Sequence, residues 1–113
     1  MKSSDAVIAL AALAQESRLA VYRLLVTMGP EGLAASDIAQ RLDIASPTLS
    51  FHLKALNHAG LVEARQDGRF IYYSASYPTM NDLLDYLTEN CCGGAACATE
   101  PAATPRATRK KAS

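Results

Sequence analysis

The sequence predicts a mainly α-helical domain that carries one β-hairpin, and three observations lead there. Ala35, Ile38, Ala39 and Leu42 repeat at i, i+3, i+4, i+7, as do Met80, Leu83, Leu84 and Leu87, which is the period of a helix with one buried face. Leu49, Leu53 and Leu56 form a third such stripe. Between the last two, residues 61–65 and 69–74 are rich in β-branched and aromatic residues, and Gln66-Asp67-Gly68 supplies a turn with a residue that tolerates positive φ.

In chain order, residues 5–14 read as an alanine-rich first helix. Ser17 is the expected cap of a second, carrying Leu19, Tyr22, Leu25 and Val26 until Gly29-Pro30 stops it. Ser36 is expected at the start of the short third helix. Ser46-Pro47 marks the start of the fourth, because serine can satisfy free amides and proline tolerates the first helical turn; it ends at Ala59-Gly60. After the hairpin, Thr79-Met80-Asn81-Asp82 has the pattern of a capping box for the last helix. The order is helix, helix, short helix, turn, helix, hairpin, helix, which is a helix-turn-helix followed by a two-stranded wing.

Composition limits what such a domain can do. Half of the 113 residues are hydrophobic, enough for a core without disulfides. Eleven basic residues balance eleven acidic ones, so a globally basic nucleic-acid binder is excluded, whereas a local basic surface is not. No apolar run reaches the roughly 18 residues that span a bilayer, and no membrane partner is expected. Lys2 followed by AVIALAALA imitates a secretion signal, but Asp5 interrupts it and the helical pattern continues without a linker. Three clustered cysteines fit a reducing cytoplasm better than a framework of staples. The sequence ATEPAATPRATRKKAS, residues 98–113, is expected to be a disordered basic tail.

The fourth helix carries the chemistry. With its leucines buried, Pro47, Phe51, Lys54 and His58 point outward, flanked by Thr48 and Ser50. Hydroxyls and a lysine can bond phosphates or base edges, and Phe51 can touch a thymine methyl. On composition alone this is a solvated helix; the hairpin behind it, with Arg65 and Arg69 about its turn, favours a DNA-facing surface. The expected DNA-binding set is Ser46, Pro47, Thr48, Ser50, Phe51, His52, Lys54, Arg65 and Arg69. His52, beside the leucine stripe, suits packing between helices equally well.

From residue 5 to about 90, ALAQESRLAVYRLL, SPTLSFHLKALNHAGLV and RQDGRFIYYS resemble the ArsR/SmtB family of bacterial winged-helix repressors. The resemblance implies a homodimer built from the first and last helices, with Leu10, Leu13, Met80, Leu83, Leu84 and Leu87 at its interface. Two recognition helices would enter successive major grooves of double-stranded operator DNA, at half-sites about 34 to 36 Å apart. The stripe on the last helix independently asks for a partner surface, although it can also pack on its own protomer.

Family members sense metals or metalloids. Where many arsenic-responsive members carry an ELCVCDL-like segment, this chain has Gly32-Leu33-Ala34-Ala35-Ser36-Asp37-Ile38, without thiols. Zinc-sensing members use Asp and His pairs on the last helix, and here that helix has no histidine. The pattern CCx4C of Cys91, Cys92 and Cys97 resembles instead a subgroup of arsenical-responsive repressors with three thiols after the dimerisation helix. Trivalent arsenic, and antimony with it, takes three sulfurs in a pyramid. Zinc is the competitor, but wants a fourth ligand that is not local. A redox pair with Cys97, other thiophilic ions such as cadmium, and a metal-buffering module without DNA are the remaining alternatives. An enzyme is not expected, since Gly93-Gly94 follows a helix instead of opening one around an anion. The domain reading is thus residues 1–90 for DNA binding and dimerisation, 91–97 for the metalloid segment, and 98–113 for the tail.

Overall fold

The computed structural model describes residues 1–94; Cys97 and the expected tail at 98–113 lie outside the described residues. Five helices and a small sheet follow one another: α1 Ser3–Leu13, α2 Glu16–Met28, β1 Leu33–Ala34, α3 Ala35–Leu42, α4 Ser46–His58, β2 Val62–Asp67, β3 Phe70–Ala75 and α5 Tyr77–Thr88. A kinked turn over Cys91–Gly94, with Cys92 and Gly93 at positive φ, ends the described chain.

One core joins them. Val21 and Leu25 of α2, Ile38 of α3, Leu49, Leu53 and Leu56 of α4, and Leu61 and Val62 at the wing's base are almost fully buried. Ala6, Ala9 and Ala12 form the buried face of α1, and their small size lets that backbone lie close on its neighbours. The Arg18 guanidinium donates from Nε to the Ala12 carbonyl at 2.7 Å, covering the negative end of α1.

The sheet order is β1-β3-β2, antiparallel throughout. The two-residue strand β1 was not expected: Leu33 pairs with Tyr73 and Ala34 with Tyr72, and so short a segment leaves no period-2 pattern to read. In the hairpin Asp67 pairs with Phe70, so the turn is Gly68-Arg69, one residue later than the Gln66-Asp67-Gly68 expectation.

Two contacts fix the wing to α4, and a third closes the wing's base. Asn57 Nδ2 donates to the Val62 carbonyl at 3.0 Å. The Leu61 amide donates to Leu56 O at 3.0 Å, and the Ser76 amide to Leu61 O at 2.8 Å. Beyond the sheet, the Tyr77 hydroxyl donates to the Val26 carbonyl at 2.9 Å and bolts the start of α5 to α2.

Candidate nucleic-acid interface and thiol cluster

α4 is built to expose a polar face. Ala45 is its N-cap, with the Leu49 amide donating to Ala45 O at 2.9 Å, and Pro47 sits in the first turn where its missing N–H costs nothing. Ser46 therefore lies inside the helix and makes no capping bond, contrary to the expected cap. Ser46, Pro47, Thr48, Ser50, Phe51 and Lys54 are all exposed, and Phe51 keeps 65% of its surface. No carboxylate occurs between residues 46 and 58, although the first 94 residues carry ten acidic and seven basic side chains. The only full charge that α4 itself presents on this face is the positive Lys54.

His52 departs from the expected DNA-facing set. It is only 6% exposed, and its Nδ1 has no hydrogen-bond partner among the described residues. The reason was present in the sequence: Leu49, His52, Leu53 and Leu56 together complete the i, i+3, i+4, i+7 pattern, so the imidazole occupies a slot of the buried stripe.

On the wing, Arg65 and Arg69 are both exposed but differently engaged. The Arg65 guanidinium lies 5.2 Å from the Tyr72 ring centroid, and one of its nitrogens is 3.5 Å from the Glu31 carbonyl. Arg69 stands in the turn. Phe70 and Ile71 are 55% and 45% exposed, which a search for basic residues passed over. Alternation would have flagged them, because the strand runs past the core while staying apolar on both faces.

The expected interface stripe divides. Leu83 is buried in the protomer's own core and Met80 is half-buried, whereas Leu84 and Leu87 are 52% and 54% exposed. On α1, Leu13 packs against the core and Leu10 is 42% exposed, joined by exposed Val7 and Ile8. Each helix thus turns one edge of its stripe inward, through Leu13 and Leu83, leaving the other edge unpartnered within the protomer.

Beyond α5, Cys91 and Cys92 are exposed, with their sulfurs 3.7 Å apart. Asn90 and Cys92 both have φ of +58°, so the chain bends sharply as it leaves the helix. Cys92 is disulfide-bonded. The described residues contain no group of three or more His, Cys, Asp or Glu placed to hold a metal. A shallow cavity of about 270 Å³ between α1, α4 and α5, lined by Met1, Asp5, Ile8, His58 and Thr79, falls below the size of ordinary small-molecule pockets. No helix among the described residues is long and apolar enough to cross a membrane.

Comparison with known proteins places this geometry. A family model described as a helix-turn-helix domain matches residues 13–65, from the end of α1 into the wing. An uncharacterized HTH-type transcriptional regulator of Bacillus subtilis, YceK, is 38% identical over 78 residues, covering 69% of this chain and 77% of that protein. An arsenical resistance operon repressor of Staphylococcus aureus is 33% identical over 75 residues, 66% of this chain and 69% of the repressor. Among solved structures, an ArsR-like transcriptional regulator from Rhodococcus sp. RHA1 superposes with a TM-score of 0.67 at 31% identity, over 74% of this chain and 76% of that one. A homodimeric winged helix-turn-helix domain from Mycobacterium bovis does so with a TM-score of 0.63 at 28% identity, over 77% and 81%. The wing, the exposed polar face of α4 and these relatives agree: the chain belongs to the ArsR family of winged helix-turn-helix transcriptional regulators.

Proposed function

We propose that this regulator is a cytoplasmic repressor that occupies operator DNA as a homodimer and lets go when trivalent arsenic binds Cys91, Cys92 and Cys97. The observation that carries the reading is the exposed placement of Cys91 and Cys92 directly after α5, with a third cysteine five residues on, three sulfurs that are thiols in the reduced protein. A trivalent pnictogen exchanges three hydroxyls for three thiols, each hydroxyl leaving as water with the proton of the S–H it replaces, and needs no fourth ligand. The donor set fits that demand, and the arsenical resistance repressor among the relatives supports the ligand class. Antimonite would be taken by the same chemistry.

For DNA, the support is the carboxylate-free outer face of α4 with Ser46, Pro47, Thr48, Ser50, Phe51 and Lys54, and Arg69 at the wing. For the dimer, it is the unpartnered apolar edge of α1 and α5 together with the homodimeric relative. The thiols sit immediately beyond α5, so closing them into a loop acts on the helix that would set the spacing of two α4 helices. Release needs only a coupling of about 1 to 3 kcal/mol, or roughly 5- to 150-fold in affinity.

A second reading, a repressor that responds to thiol oxidation, is favoured by the disulfide at Cys92, since arsenic requires the reduced cluster. Fluorescence anisotropy on promoter DNA separates the two. With reduced protein, arsenite should lower affinity at least about 5-fold while peroxide, cadmium and zinc act weakly, and serine at any of the three cysteines should abolish the arsenite effect. Release by peroxide alone supports the oxidation reading, and undiminished arsenite response in the triple-serine variant eliminates the thiols from the mechanism.

A further inference from the structure

We propose that Phe70 is an apolar wedge for the DNA minor groove, so that the wing senses how easily a base step unstacks; this rests on the DNA-binding reading above. The wing is poorly equipped to hold phosphates by charge. Arg65 is drawn back over Tyr72 and towards the Glu31 carbonyl, at the base of the hairpin. At the tip, Arg69 brings one positive charge and Asp67, which pairs directly with Phe70 across the strands, one negative charge. The tip charges cancel.

Its apolar endowment is large by contrast. Phe70 is 55% exposed at the first position of β3, and Ile71, on the other face, is 45% exposed. The Phe70 ring stands on the same face as Tyr72, with centroids 6.4 Å apart and planes at 49°, so the two rings lie side by side on the wing. A loop that met only phosphates and water would gain nothing from such side chains.

A minor groove about 6 Å wide excludes a helix but accepts a side chain at a hairpin tip. Apolar side chains placed there enter between base pairs and partly unstack them. The cost of that opening is lowest at pyrimidine–purine steps such as TA and CA, which makes the contact a reader of deformability. A second copy of this chain is the competing occupant, but it would have to bury Asp67 and Arg69 along with the ring, whereas the groove leaves both in water.

The test uses duplexes recovered by the full-length protein from a random pool, with a TA step or an AA step moved one position at a time through the flank of the half-site. Wild-type protein should prefer TA at one flank position by about 5- to 10-fold. Phe70→Ala should lose that preference and about 10-fold in affinity with an unchanged salt slope, while Phe70→Leu retains part of both. Arg69→Ala should keep the step preference and change the salt slope by well under one. A 2-aminopurine at the preferred step should brighten with wild type and not with Phe70→Ala. The wedge is overturned if wild-type protein binds TA and AA duplexes alike at every flank position, or if the step preference survives in Phe70→Ala. If wild-type protein recovers no duplex at all, it is the DNA-binding reading that fails.

Discussion

Gly32 stands where the chain enters β1, at φ +72°, and a Cβ there would collide with the Tyr73 carbonyl of the paired strand. Gly68 shares the left-handed conformation at φ +65° but opens onto empty space. The two therefore separate backbone strain from steric conflict. Gly68→Ala should cost about 1 to 2 kcal/mol, the strain alone, whereas Gly32→Ala should cost at least about 3, read as shifts of the urea midpoint at constant m-value. Tyr22 offers a second measurement. It is 7% exposed, and its hydroxyl has no partner among the described residues; burial first, and then neighbouring Tyr77, push its pKa above the ordinary phenol value. A raised folded-state pKa means that the unfolded chain ionises first, so this stabilisation is complete below about pH 10 and drains away as pH climbs towards the folded value. Tyr22→Phe should therefore lose less stability than wild type between pH 9 and pH 11 in thermal melts, and should fold at least as stably at neutral pH.

Helices show which sequence signals are decisive. Each helix is where its apolar period puts it, but the expected caps Ser17, Ser36, Ser46 and Thr79 all fall inside helices. The true N-caps are Gln15, Ala34, Ala45 and Ser76. Gln15 accepts the Arg18 amide at 2.8 Å, a role that a search for short polar caps overlooks. For α5, Pro78 in the first turn was the better marker, and Thr79 instead meets the Ser76 hydroxyl at 3.0 Å. A helix end is decided by whichever local group reaches a free amide, so several residues compete and the period alone cannot choose. The inner edge of α5 has a role already assigned by Leu83; its outer edge does not. Replacing Leu84 and Leu87 together by Glu should leave the fold intact, convert a dimer to a monomer in sedimentation equilibrium, and weaken operator binding by at least about 100-fold, because two linked half-site contacts become independent.

At the scale of the whole molecule, the architecture was legible because stripes, turn and hairpin agree with one another, each asking for the same arrangement. What escaped was set by distance in space. Strand β1 exists only because β3 runs beside it, and the engagement of Arg65 depends on Tyr72 and Glu31, neither a sequence neighbour. The exposed face of α4 was readable up to His52, where a polar residue filled an apolar slot. The paired cysteines were visible as a cluster, while the 3.7 Å between two of their sulfurs needed the bend after Asn90.

The bond from Tyr77 to Val26 has a mechanical corollary. α5 has 12 residues, about 18 Å of rod, held at its near end by that bond, seated along its inner edge by Leu83 and Tyr86, and approached by the cysteines only at its far end. A lever pinned at the fulcrum swings when tugged; it does not slide. A tilt of about 10° would carry the tip about 3 Å, so the message sent across the protein would be an angle.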